Sequence, residues 1–185
     1  MKTPLSGLLI GALLCSNAQA FEIEHAESKY QDKQYRLALT LVLDVPADRV
    51  RAVLRDYRNY PRLDARILEA SVLKRETPDR LLLYTKLHAC FGFFCRNVKR
   101  VERVQEGDAG LQAVVLPDQS EVSSGETQTQ LLSLGARTRV TYATGIAPGF
   151  WIPAIVGRPL MLRTLREASI ELFRNVERQA KSEKP

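Results

Sequence analysis

The chain reads as an α+β domain: a curved antiparallel sheet of about seven strands around a long C-terminal helix, with one short helix after the first strand. Three observations predict it. A long one-sided amphipathic pattern closes the chain, and between residues 34 and 144 short alternating apolar runs follow one another with turn residues between them. Helical periodicity occurs only at the two ends of that series, whereas a doubly wound parallel sheet would interleave helices with strands.

Residues 1–20 read as a leader outside the fold. Lys2 precedes the apolar run Leu8 to Leu14, which is too short to cross a bilayer, and Ala18-Gln19-Ala20 places small residues where a signal peptidase reads. Cleavage is expected after Ala20, leaving one domain over residues 21–185 in a periplasmic or secreted setting. Lipidation at Cys15 is disfavoured by Leu14 directly before it. About 165 residues suffice for one substantial core.

Gln34 to Leu43 alternates, with Tyr35, Leu37, Leu39, Leu41 and Leu43 on one face, and so reads as a half-buried first strand. Pro46-Ala47-Asp48 opens the short helix, where Val50, Val53, Leu54 and Tyr57 keep helical spacing; Pro61 stops it. Strands are then expected near Ile67 to Arg75, Leu81 to Ala89, Arg96 to Val104, Leu111 to Leu116, Glu121 to Leu134 and Ala136 to Thr144. Turns at Thr77-Pro78-Asp79-Arg80, Cys90 to Cys95, Glu106 to Gly110, Pro117-Asp118 and Gly135 separate them. Pro148-Gly149 reads as a further turn, and the helical pattern runs from Leu160 to Lys181 with Leu162, Leu165, Leu172, Phe173 and Val176 on its apolar face. A rod of roughly 30 Å can cross a whole sheet. The strand Glu121 to Leu134 carries little apolar material before Leu131. It therefore faces a cavity, or else is an edge strand or lies over water on both faces.

Charge excludes some partners. The 27 Lys and Arg against 21 Asp and Glu give +6, and loss of Lys2 with no acid leaves +5. The charges are interspersed, as in Lys99-Arg100-Val101-Glu102-Arg103-Val104, so nucleic acid is not an expected partner. An anionic membrane surface stays open, beside the plainer reading of a solvated basic surface. Cys90 and Cys95, the cysteines left after the leader, read as one disulfide in an oxidising compartment. So short a loop stabilises by about 2 kcal/mol in the chain-entropy estimate. No metal site and no cofactor are expected: His25 and His88 are the only histidines, and two thiols with one distant imidazole make a poor cage.

The strings Val45-Pro46-Ala47-Asp48-Arg49-Val50, Leu54-Arg55-Asp56-Tyr57-Arg58-Asn59-Tyr60-Pro61, Phe94-Cys95-Arg96-Asn97-Val98-Lys99-Arg100-Val101 and Thr138-Arg139-Val140-Thr141-Tyr142, followed by the last helix, carry a resemblance through their order and spacing. Over nearly all of residues 21–185 the chain resembles the START-like, or SRPBCC (helix-grip), superfamily, in particular its coenzyme Q-binding and polyketide cyclase-like branch. The resemblance implies a lined pocket between sheet and last helix that holds a lipid, a quinone or another apolar molecule. Enzymes of the superfamily add catalytic groups idiosyncratically, so no catalytic residue is carried over.

The residues themselves favour binding over catalysis. His88 falls on the strand face opposite Leu83, Thr85 and Leu87, and His25 lies in a polar segment, so both are expected on the surface. Ser123-Ser124-Gly125 lacks the context of a nucleophile elbow, and Glu121 and Glu126 face opposite sides of one strand. An apolar site needs less. Tyr57 and Tyr60 in the connector, Phe150, Trp151 and Ile152 at the mouth of the long helix, and Met161 and Leu165 on it are expected to line or gate a pocket, with ordinary core packing as the competing reading. The tip Phe91-Gly92-Phe93-Phe94, followed by Arg96, Lys99 and Arg100, is expected either to meet a membrane or apolar partner or to fold over the pocket mouth. The expected function is an exported binding protein for an apolar ligand, with a cyclase- or hydrolase-type enzyme as the alternative. Intact mass and N-terminal sequencing of the exported protein should show Phe21 as its first residue; a retained Met1 would refute cleavage.

Overall fold

The computed structural model describes residues 21–91, 94–151 and 154–182. Residues 1–20, Phe93, Ile152 and Pro153 therefore lie outside the described residues, as do the side chains of Phe91 and Phe94. The elements run β1 (Glu22–Gln31), β2 (Gln34–Leu43), α1 (Ala47–Arg55), a 3-10 turn (Tyr57–Asn59), α2 (Tyr60–Leu63) and β3 (Ile67–Thr77). They continue with β4 (Arg80–Phe91), β5 (Phe94–Gly107), β6 (Gly110–Val115), a 3-10 turn (Pro117–Gln119), β7 (Val122–Leu134), β8 (Arg137–Pro148) and α3 (Ala154–Ser182). All strands join one antiparallel sheet in the order β1-β2-β8-β7-β6-β5-β4-β3.

The expected α+β class holds, with eight strands rather than seven. The additional one is β1, whose Glu22, Glu24, His25, Glu27 and Lys29 give no apolar alternation. It is an edge strand exposed along most of its length, so burial writes no period into its sequence. Non-Gly residues make its turn to β2: Asp32 and Lys33 take φ of 53° and 60°, the left-handed conformations that a two-residue hairpin requires. β7 lies between β6 and β8, which excludes the edge reading of that strand. Its inner face is Gly125, Thr127, Thr129 and Leu131, the parity that is buried or half-buried. Pro61 does not end α1, which stops at Arg55; it occupies the first turn of α2, where a missing N–H costs no bond. Pro148 closes β8 opposite Val122 rather than forming a turn.

The 29 residues of α3 make a rod about 44 Å long. It begins at Ala154, next in sequence to Pro153, a residue the sequence admits at a first helical turn, and it carries Pro159 inside it ahead of the regular apolar pattern from Leu160. Phe173, Val176 and Ala180 are fully buried, one face of the helix. They pack on Leu37, Leu39, Leu41 and Leu43 of β2, on Val140 of β8 and on Val50, Val53 and Leu54 of α1. The Phe173 ring meets Tyr142 edge-on, with centroids 5.3 Å apart. Polar ties fix the helix in place: Asn175 Nδ2 donates to the Leu63 carbonyl at 2.8 Å, Arg66 to the Ala168 carbonyl at 3.2 Å, and Lys181 Nζ lies 3.2 Å from Asp44. Truncating Phe173 to Ala removes a fully buried ring and should cost about 3–5 kcal/mol in urea unfolding; a loss under about 1 kcal/mol would mean that α3 does not seal the core.

Candidate functional site

Sheet and helix do not meet everywhere. Beside the Phe173 seam they leave a cavity of about 130 Å³. Tyr57, Tyr60 and Leu63 of the connector, Ile67 of β3, Leu83 of β4 and Leu172 of α3 form its apolar walls with Leu54, Leu111, Ala113 and Phe173. Inner-face residues supply the polar part: Arg100 and Glu102 of β5, Thr127 and Thr129 of β7, and Tyr142 of β8.

Glu102 is 4% exposed on β5. Arg100, two residues earlier on the same face, brings Nε to 3.1 Å from Glu102 Oε2 and also donates to Thr85 Oγ1 at 3.3 Å. Burying an acid side chain this deeply is costly unless it is paired, and the Arg100 guanidinium supplies the partner. The cavity thus carries one charged pair on a mostly apolar wall.

Tyr57 and Tyr60 stack at a tilt, with centroids 5.5 Å apart. Tyr60 Oη donates to the Leu54 carbonyl at 2.8 Å, holding the connector against the end of α1. Tyr57 Oη donates to Glu106 Oε1 at 2.8 Å, and that carboxylate is also approached by Arg55 and Arg75. Burial, reinforced for Tyr57 by the bond to Glu106 and for Tyr60 by the charge of Glu102, pushes both phenols well above their ordinary value. Tyr142 is also raised by burial, against hydrogen bonds with Thr144 and Ser169. All three hydroxyls therefore stay protonated at neutral pH, and those of Tyr57 and Tyr60 are spent as donors to Glu106 and to the Leu54 carbonyl.

The other expected site residues lie elsewhere. Phe150 packs at the far end of β5 against Val98, Val115 and Val122, with the Arg96 guanidinium 4.4 Å above its ring. Gly149 allows this, because a Cβ there would come within 2.5 Å of the Glu121 carbonyl. Trp151 is 79% exposed. It borders a groove of about 800 Å³ with Tyr30, Tyr35 and Arg158, whose guanidinium covers Tyr30 at 4.4 Å. Met161 is buried and Leu165 half-buried against the main core; among the described residues neither lines the cavity. Another groove, about 450 Å³, crosses the outer face of the sheet between charges that already pair, Arg36 with Glu126 and Lys29 with Glu27.

The sequence reading missed Arg100, Glu102, Thr129 and Tyr142. The signal was the parity of β5, where Arg100 and Glu102 fall between Val98 and Val104, but Val101 on the other parity obscured which face was inner. Cys90 and Cys95 form the expected disulfide, with Cα atoms 4.0 Å apart. The imidazole is not distant, contrary to expectation. The cross-strand register puts His88 beside the bridge, Nε2 3.3 Å from Cys90 Sγ, and brings the donor atoms of His88, Cys90 and Cys95 within 4.8 Å of one another.

The sequence matches no family model and no curated protein. The fold matches solved structures of low identity. The Zhui aromatase/cyclase of Streptomyces sp. R1128 aligns with a TM-score of 0.65 at 15% identity, covering 80% of this chain and 94% of its own. A START superfamily protein of Mycobacterium smegmatis gives 0.63 at 14%, covering 79% and 97%. A STAR-related lipid transfer protein of Xanthomonas axonopodis gives 0.62 at 16%, covering 85% and 99%. The architecture is the START-like, helix-grip fold.

The raised tyrosines set the response to alkali. The unfolded chain ionises near the ordinary value of 10.0 while folded Tyr57 and Tyr60 keep their protons. Above that pH the folded state binds more protons at these two sites, so their contribution to stability is level up to about pH 10 and falls beyond it. In a Tyr57→Phe, Tyr60→Phe variant the fall in thermal midpoint between pH 9 and 11 should be shallower than in wild type; parallel curves would mean that the phenols ionise freely in the fold.

Proposed function

We propose that this protein is an exported carrier or sensor that holds an apolar molecule with one polar group in the cavity between sheet and α3. The observation that carries the reading is the Arg100–Glu102 pair, the charged part of a cavity wall that is otherwise apolar residues, threonines and tyrosines. Apolar sites with a few placed polar groups bind by shape and orient by the polar contact. A space of about 130 Å³ takes a single ring or a short chain. A longer acyl chain requires α3 to move at Leu172 and Phe173, its contribution to the cavity wall. Leader-like residues 1–20 and the disulfide fit an exported chain.

Tyr57 and Tyr60 line this site in the proposal, while Phe150, Trp151, Ile152, Met161 and Leu165 act from the helix and its mouth. Trp151, exposed beside a wide groove, and the tip Phe91, Phe93 and Phe94 supply an apolar contact with a membrane surface through which ligand is exchanged. Arg96, one residue past Cys95, stacks on Phe150, which supports a reading in which both strings act together. A cyclase- or hydrolase-type reaction is the second reading, favoured by the polar cluster of Glu102, Tyr60 and Tyr142. It is weaker because both histidines are exposed, the tyrosines are held neutral and Glu102 is held by Arg100.

Native mass spectrometry of gently purified protein should show a co-purifying apolar molecule. An Arg100→Met, Glu102→Leu double variant replaces the pair by apolar side chains and should keep its thermal midpoint, since such replacements are often neutral or stabilising. It should lose the preference for a fluorescent fatty acid over the matching alcohol. Trp151→Ala should leave the midpoint unchanged and weaken binding of the fatty acid. Equal preference in wild type and double variant would remove the polar anchor from the proposal.

A further inference from the structure

We propose that the Cys90–Cys95 disulfide is a thiol–disulfide exchange site, in which His88, positioned by Asn97, stabilises Cys90 as the leaving thiolate. Both cysteines are exposed, and they face each other directly across β4 and β5. His88 pairs with Asn97 one step along the same face. Its Nδ1 lies 2.9 Å from Asn97 Oδ1 and its Nε2 3.3 Å from Cys90 Sγ. With the Asn97 amide oxygen facing Nδ1, the pairing favours the tautomer with its proton on Nδ1, and Nε2 is the nitrogen presented to the sulfur. Once protonated, Nε2 donates to a thiolate at that position. The nearest charged partners along this face are Lys86, bound to Glu69 at 2.8 Å, and Lys99, its cross-strand neighbour. Thiolates are favoured beside imidazolium and lysine, and a disulfide opens faster when its leaving thiol is the more acidic one.

The reductant is a dithiol, as carried by a disulfide-exchanging protein. Its thiolate attacks Cys95 Sγ; the Cys90–Cys95 bond breaks, a mixed disulfide forms with Cys95, and the electron pair leaves on Cys90 with His88 Nε2–H donating to it. The second thiol of the reductant then attacks the mixed disulfide at the reductant's own sulfur and releases Cys95. Two electrons pass to the protein, which gains two protons as two thiols, while the reductant becomes a disulfide. The backbone pairing of β4 with β5 runs from Arg80–Gln105 to Phe91–Phe94, so the ladder on the Arg80 side does not depend on the bond. The inference is independent of the ligand reading, because the site stands on the outer face of the sheet.

Oxidised protein treated with dithiothreitol, quenched with an alkylating agent and weighed, gives both the rate of reduction and the equilibrium midpoint. His88→Ala should slow reduction about tenfold and shift the midpoint negative by about 30 mV for each tenfold change in the equilibrium constant. The thermal midpoint of the oxidised form should not change. Asn97→Ala should slow reduction less, and Asn97→Asp, which still accepts from Nδ1–H, should restore it. If His88→Ala does not fold, His88→Gln keeps a side chain that can bond Asn97 without a basic nitrogen and is held to the same expectation. Rates and midpoints equal to wild type in the His88 variant overturn the proposal, as does failure of Asn97→Asp to exceed Asn97→Ala.

Discussion

The structure depends on one packing requirement, that α3 bury Phe173, Val176 and Ala180 against the leucine row of β2. The row, Leu37 to Leu43, sits near one margin of the sheet. A straight rod seated there cannot also be flush with β4, β5 and β6 as the sheet curves away. Short elements fill the rest: α1 closes over β2 and β8, while the Tyr57–Leu63 connector covers β3 and β4. What remains uncovered is the cavity. Its position follows from where the seam is strongest.

That geometry explains how a charged pair survives on an inner strand face. If α3 were pressed against β5, Glu102 would be stripped of water with nowhere for its partner's guanidinium to lie, and desolvation would exceed the Coulombic return. A gap gives Arg100 room to reach both Glu102 and Thr85. Thr127, Thr129 and Tyr142 continue the polar strip across neighbouring strands. Their hydroxyls offer fixed donors and acceptors rather than mobile charges. The strip thus interrupts the apolar core with fixed polar groups, the feature on which the proposed orientation of a ligand rests.

How much of this was legible in the sequence varies from residue to residue. The seam was readable because period 2 in β2 and period 3.6 in α3 are written in large apolar residues. The disulfide was readable from compartment and count. β1 was not, since an exposed edge strand has no burial to imprint alternation on residues such as Glu24 and Lys29. The two tyrosines of the connector announced themselves as aromatics in a polar loop, and the structure places both on the cavity wall. Phe150 and Trp151 drew attention for the same reason, yet Phe150 packs at the other end of β5 and Trp151 borders a groove beside the β1–β2 turn. Proximity between loops far apart in sequence depends on sheet order, and sheet order is not local. His88 was set aside as a surface residue, and its exposure is as expected. Its meeting with Cys90 required the strand direction.

The two free margins of the sheet also matter. β3 pairs with β4 through three register shifts, at Ile67/Glu69, Val72/Lys74 and Arg75/Thr77, and carries Lys74, Arg75 and Glu76 along its outer run. β1 has its own shift at Ile23/His25 and holds Glu22 and Glu24 in ion pairs that reach over β2 to Arg137 and Arg139. A flat ladder of unsatisfied amides invites another chain to zip on, and a buckled, charged one does not. A curved sheet with one face only partly covered by helices is thereby given rims that offer a second chain no flat ladder to extend.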